Sequence, residues 1–194
     1  MSQEYSDSVD LVNAGTVAYL SGAVLIAALT AVLAQFSIDL PGGVPFSFQP
    51  FGVFFAGVLL GPIWGGFSML LYLLVGVAGA PVFSNGTAGV GIVLGPTGGF
   101  LISYVFAAAA IGLVAHRSLD PVGVDDLPAV GVTAGLVVGS AIIYAIGVPW
   151  FAEVQGWTLP RAAGFMAPFA VGDAVKIAIT VGIVAGGNEL LERP

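Results

Sequence analysis

Residues 50–82 run for more than thirty positions without a charged side chain and are apolar almost throughout. Such a stretch must be withdrawn from water, and it is too long for one membrane crossing, which takes about 20 apolar residues of helix. Gly61-Pro62 interrupts it, setting a residue that tolerates a reversal beside one that donates no backbone hydrogen bond, so a tight helical hairpin is expected there. The first arm, about 51–60, is short for a perpendicular crossing. It is expected to be tilted, re-entrant or continued by residues 46–50.

The rest of the chain is built in the same way. Of its 194 residues, 58% are hydrophobic and 8% charged, whereas an ordinary soluble domain carries roughly 25% charged residues. A water-soluble fold is excluded. The apolar runs are continuous and rich in Ala, Leu, Val and Gly, without the alternation of a membrane barrel, so the spans are helices. The expectation is an all-α membrane protein, one integral membrane domain over residues 1–194. Its bundle of six transmembrane helices falls at about 16–36, 46–60, 62–80, 98–116, 128–149 and 165–187. The first should end at a turn over Asp39-Leu40-Pro41-Gly42-Gly43.

An even number of spans puts both termini on one side, and the placing of Arg117 and Arg193 makes that side cytoplasmic. The loops at 37–49, 80–96 and 149–164 then face outward. Residues 1–15 are polar and acidic and lack the basic, apolar and cleavage regions of a secretory signal, so they are expected to stay on the mature protein.

Four basic residues oppose eleven acidic ones, which excludes nucleic-acid binding. Cysteine is absent and His116 is the single histidine, so neither a thiolate nor a histidine metal site can be built. An acidic, lysine-poor surface suits a high-salt environment, and a halophilic source is one expectation from it.

The sharpest chemical feature is Gly172-Asp173-Ala174-Val175-Lys176 within the last span. Asp173 and Lys176, three residues apart, share a helix face. Ionisable groups inside a membrane are expensive and face the bundle interior, where they mark functional sites or lock helices together. In the outward loops, Gln49 and Asn85 bring amides that both donate and accept, though either could instead cap a turn. Phe46, Phe48, Phe83, Trp150 and Trp157 gather near the outer interface, as an aromatic belt or as walls of a site.

Gly61, Gly65, Gly95, Gly99, Gly135, Gly139, Gly182 and Gly186 form small-xxx-small spacings that suit close helix packing. Ala23, Ala27 and Ala31 make a small-residue stripe on the first span, which fits internal packing and docking of another membrane protein equally well. The glycines at 89, 91 and 95 lack the strand, lysine and spacing of a nucleotide loop. ATP-driven pumping would therefore need other chains, and a binding subunit is favoured over a self-sufficient pump. No nucleophile with a nearby base is visible, so no enzymatic activity is expected.

Several motifs occur together and in order: Val44-Pro45-Phe46-Ser47-Phe48-Gln49, Leu60-Gly61-Pro62, Tyr72-Leu73-Leu74-Val75-Gly76, Gly79-Ala80-Pro81-Val82-Phe83, Gly95-Pro96-Thr97-Gly98-Gly99-Phe100 and the Gly172 to Lys176 segment. The chain resembles the BioY family on these residues, the biotin-specific capture components of energy-coupling-factor transporters. The resemblance implies a six-helix bundle that binds biotin on its outer side. It also implies docking on a transmembrane coupling protein driven by two ATPase subunits, through the face at Ala23, Ala27 and Ala31, with the bundle toppling in the bilayer to release its ligand. No cofactor is implied.

The polar ligands it implies are Asp173, Lys176, Asn85 and Gln49. Their chemistry suits biotin's ureido ring, whose N–H groups a carboxylate accepts and whose carbonyl an ammonium or amide can meet. Phe48 and Phe83 are candidates for the aromatic walls. Arg161 is the outward cation available to the valerate carboxylate, unless serine or backbone donors serve. Capture of another vitamin, or a channel or secondary transporter, are the competing readings.

Overall fold

The computed structural model describes residues 14–39 and 44–191. It is helical apart from a two-residue antiparallel ladder, Ser37–Ile38 (β1) against Phe46–Ser47 (β2). The helices are α1 (Ala14–Gln35), α2 (Gln49–Val77), the short α3 (Val90–Leu94), α4 (Gly98–His116), α5 (Ala129–Gln155) and α6 (Leu159–Leu191). Five of them, all but α3, are long and apolar enough to cross a membrane. Of the acidic N-terminal segment, residues 1–13 lie outside the described residues, as do Leu40 to Gly43 of the expected turn, and Glu192 and Arg193.

α2 is two antiparallel arms. Gly61 sits at φ 72°, ψ −172°, which is outside the helical region and open to glycine. The consequence is measurable at the far ends of the arms, where the side-chain amide of Gln49 donates to the hydroxyl of Tyr72 at 2.7 Å. A straight helix would hold those two residues about 35 Å apart. Close to the reversal, a Cβ on Gly65 would stand 2.6 Å from the carbonyl oxygen of Ala56, so the arms touch backbone to backbone.

α4 lies between α2 and α5, α1 packs on α2, and α6 packs on α5. Lipid removes the hydrophobic drive between helices, so close approach at small residues has to supply the attraction. Gly57 admits Ala108 and Ile111, while Gly135 and Gly139 receive Ile111 from the other side. Gly112 lies flat against the Gly61–Pro62 peptide. Of the glycines expected to pack, Gly182 and Gly186 meet nothing within 4 Å.

Beside the reversal, His116 is buried. Its Nδ1 accepts from the Val122 N–H at 3.1 Å, which leaves Nε2 to donate to the Val58 carbonyl at 3.0 Å.

Two expectations are corrected. Residues 149–164 are mostly helix: Trp150 and Glu153 belong to α5, Arg161 belongs to α6, and the connection shrinks to Gly156 through Thr158. Gly156, at φ 63°, ends α5, and Pro160 falls in the first turn of α6, where a missing N–H breaks no bond. The second correction concerns the alanine stripe. Ala23 and Ala27 are buried and Ala31 half-buried, with the Ala23 carbonyl accepting from Ser68 of α2 at 2.8 Å. The stripe is turned into the bundle, and Val24, Leu25 and Val32 occupy the outward face of α1.

Candidate functional site

At the end of the bundle where α2 and α4 begin, a cavity of about 200 Å³ opens between the segment 44–49, the loop 83–87 and the inner faces of α4, α5 and α6. Its walls are largely apolar, with Phe46, Phe83, Phe100, Leu101, Ile143, Met166 and Phe169. Asp173 and Lys176 line it from α6 and are 7% and 4% exposed.

The charged pair is closely fixed. The Lys176 ammonium donates to Asp173 Oδ1 at 2.7 Å and to the Ser47 carbonyl at 2.8 Å, and the Phe46 ring centroid lies 4.3 Å from it. The other oxygen of Asp173 accepts from the Tyr144 hydroxyl at 2.7 Å. Phe46 reaches this position because residue 172 is glycine: a Cβ there would overlap the Phe46 ring. Two opposite charges, each hydrogen-bonded further, are an arrangement that a low-dielectric interior tolerates. Such a carboxylate retains lone pairs for a ligand that brings N–H groups.

Gln49 is buried and lines the cavity, yet much of its amide is already engaged. Its Oε1 accepts from the hydroxyls of Ser47 at 2.7 Å and Ser84 at 2.8 Å, and the Tyr72 hydroxyl, which receives its Nε2–H, donates onward to the Val82 carbonyl at 2.9 Å. One amide thereby clasps the segment before α2, the second arm of α2 and the loop after it. Asn85 is exposed at the rim, at φ 58°, and donates to Asp39 at 2.6 Å.

Phe83 is fully buried, sits in the notch left by Gly76 and forms part of the cavity wall. Phe48 does not: it is 42% exposed, stacks on Phe36 and meets Phe51 edge to face on the outside. Arg161 is also absent from the lining; its guanidinium lies 4.0 Å over Trp157, about 18 Å along α6 from Asp173. Trp150 donates to the Gly95 carbonyl at 2.9 Å and braces the turn into α4.

The structure adds two tyrosines that sequence reasoning passed over. Tyr144 orients Asp173, and Tyr104 lines the same cavity at 5% exposure. Both sit mid-span, away from the interfaces where tyrosine belts form. That position was the available signal.

Apolar helices around a small cavity floored by a buried ion pair define an all-helical protein of the membrane-spanning type. The family follows from comparison: the model of the BioY family matches residues 6–193, and the chain belongs to that family. It is similar to the biotin transporter BioY of Rhodobacter capsulatus, 40% identical over 172 residues covering 84% of this chain and 86% of the relative. It is similar also to the probable biotin transporter BioY of Pyrococcus horikoshii, 37% identical over 157 residues covering 81% and 88%. Its fold resembles the crystal structure of the S-component for biotin from an ECF-type ABC transporter, with a TM-score of 0.78 and 26% identity over 94% of this chain and 95% of that one.

Proposed function

We propose that this chain is the biotin-capture component of an ATP-driven energy-coupling-factor uptake system in a prokaryotic cell membrane. The observation that carries the reading is the buried Asp173–Lys176 pair at the floor of a small, aromatic-walled cavity, in a chain whose relatives and structural neighbour bear the name of biotin. Asp173 accepts from the ring N–H groups, and Lys176 holds that carboxylate in place. Phe83, Phe46 and Phe169 bound the thioether ring. The tail points to the rim, where Asn85 and Thr87 offer polar groups.

In this reading the two arms of α2 count separately, giving six crossings with the short first arm tilted, both termini cytoplasmic and the cavity facing outward. The partners are a transmembrane coupling protein and two ATPase subunits, met through the bilayer-facing surface of α1. The high-salt expectation rests on composition alone.

Competition separates biotin from other vitamins. Labelled biotin bound to the purified protein should be displaced by unlabelled biotin and left in place by riboflavin, thiamine, folate and pantothenate. Displacement by one of those at a lower concentration than biotin would reassign the ligand.

A further inference from the structure

The hydrogen-bond donors around the cavity are almost all in use. Lys176 has three protons, and its two hydrogen bonds and the Phe46 ring account for them. Tyr144 donates to Asp173, Ser47 and Ser84 donate to Gln49, and Thr87 donates to the Ser84 carbonyl. Gln49 and Asn85 keep one amide proton each beyond their bonds to Tyr72 and Asp39. Thr97 is half-buried at the mouth, in the turn before α4.

Tyr104 stands apart from these. Two helical turns further along α4, it is 5% exposed, lines the cavity, and among the described residues its hydroxyl has no hydrogen-bond partner. Nor is that hydroxyl sealed within the protein, since the one fully enclosed side-chain atom lacking a partner among the described residues is Ser140 Oγ. Buried hydroxyls are nearly always paired, so an open one facing a cavity calls for an occupant that pairs with it.

The occupant's chemistry is constrained by what lies beside it. A cyclic urea that gives an N–H to Asp173 carries its carbonyl one bond away. That carbonyl needs a donor close to Asp173 and not already committed to it. Tyr144 and Lys176 are both committed. We propose that Tyr104 donates the hydrogen bond that reads the ring carbonyl of the ligand, making it a specificity-determining residue of the site. This rests on the biotin reading of the cavity.

The test is a cycle of two proteins and two ligands, the parent and Tyr104→Phe, each titrated calorimetrically with biotin and with 2-thiobiotin, in which sulfur replaces the ring carbonyl oxygen. Tyr104→Phe should weaken biotin binding about tenfold, the value of one neutral hydrogen bond with its partner left unpaired. The penalty for exchanging oxygen for sulfur, large in the parent, should fall severalfold in the variant. Sulfur's greater bulk is common to both proteins and cancels. Without ligand, the variant's melting temperature should equal or exceed the parent's, because an unpaired hydroxyl has been removed.

Unchanged biotin affinity in Tyr104→Phe overturns the proposal. So does an unchanged oxygen-to-sulfur penalty, which assigns the carbonyl to Lys176 or an amide, and so does a lowered melting temperature, which makes the hydroxyl structural. A folded parent that binds neither ligand overturns the biotin reading itself, a result distinct from all three.

Discussion

Asp173→Asn is expected to abolish biotin binding and to destabilise the protein together. The substitution keeps the shape of the side chain but leaves the Lys176 ammonium buried beside a neutral amide, and it weakens the acceptor that holds Tyr144. Removing one member of a buried ion pair costs about 3–5 kcal/mol, because the remaining charge has neither water nor counter-charge. Lys176→Met should cost a similar amount for the mirror reason. The double variant Asp173→Asn/Lys176→Met removes both charges and should lose less stability than either single one, while biotin binding stays absent in all three. Unfolding in detergent, followed alongside calorimetry, reads both quantities. Single variants as stable as the parent, or a double variant that sums the two losses, would show that the pair is not buried and coupled as described.

The second large effect lies at the opposite end of the bundle. A Cβ at Gly112 would land on the Gly61–Pro62 peptide, which is backbone at the reversal of α2 and can yield only if the hairpin parts from α4. Gly112→Ala is therefore expected to cost about 3 kcal/mol, the upper range for overpacking, despite alanine's better helix propensity. Gly182→Ala is the control: with nothing within 4 Å of its added carbon it should be neutral or stabilising. Equal melting temperatures for the two variants would contradict the packing described for α4.

What could be read from the sequence was local. Gly61-Pro62 announces a reversal through its own backbone preferences, and Asp173 and Lys176 stand out because charges in an apolar run are costly wherever the helix faces. The rest depended on rotation and convergence. The spacing of Ala23, Ala27 and Ala31 defines a face of α1, but whether that face meets α2 or lipid is decided by the neighbour. Phe48 is a candidate wall because it converges with the outward amides and the charged pair, and Arg161 is a candidate because it is the outward cation. Both point away from the cavity, and the loop expected around Arg161 is helix. Tyr104 and Tyr144 are marked only by their place mid-span, and the packing of α4, α5 and α6 brings them to the cavity that Asp173 lines. Gln49 is a ligand on the family resemblance, while its amide alone fits a ligand or a turn cap equally. Its engagement with Ser47, Ser84 and Tyr72 involves three segments that sequence spacing does not relate.

Capture of biotin by this single chain, without its transport partners, is the claim on which the rest depends. Calorimetric titration of the purified protein with biotin tests it directly. Saturable nanomolar binding at one site per chain is the predicted result, and the absence of binding by protein shown to be folded would contradict it.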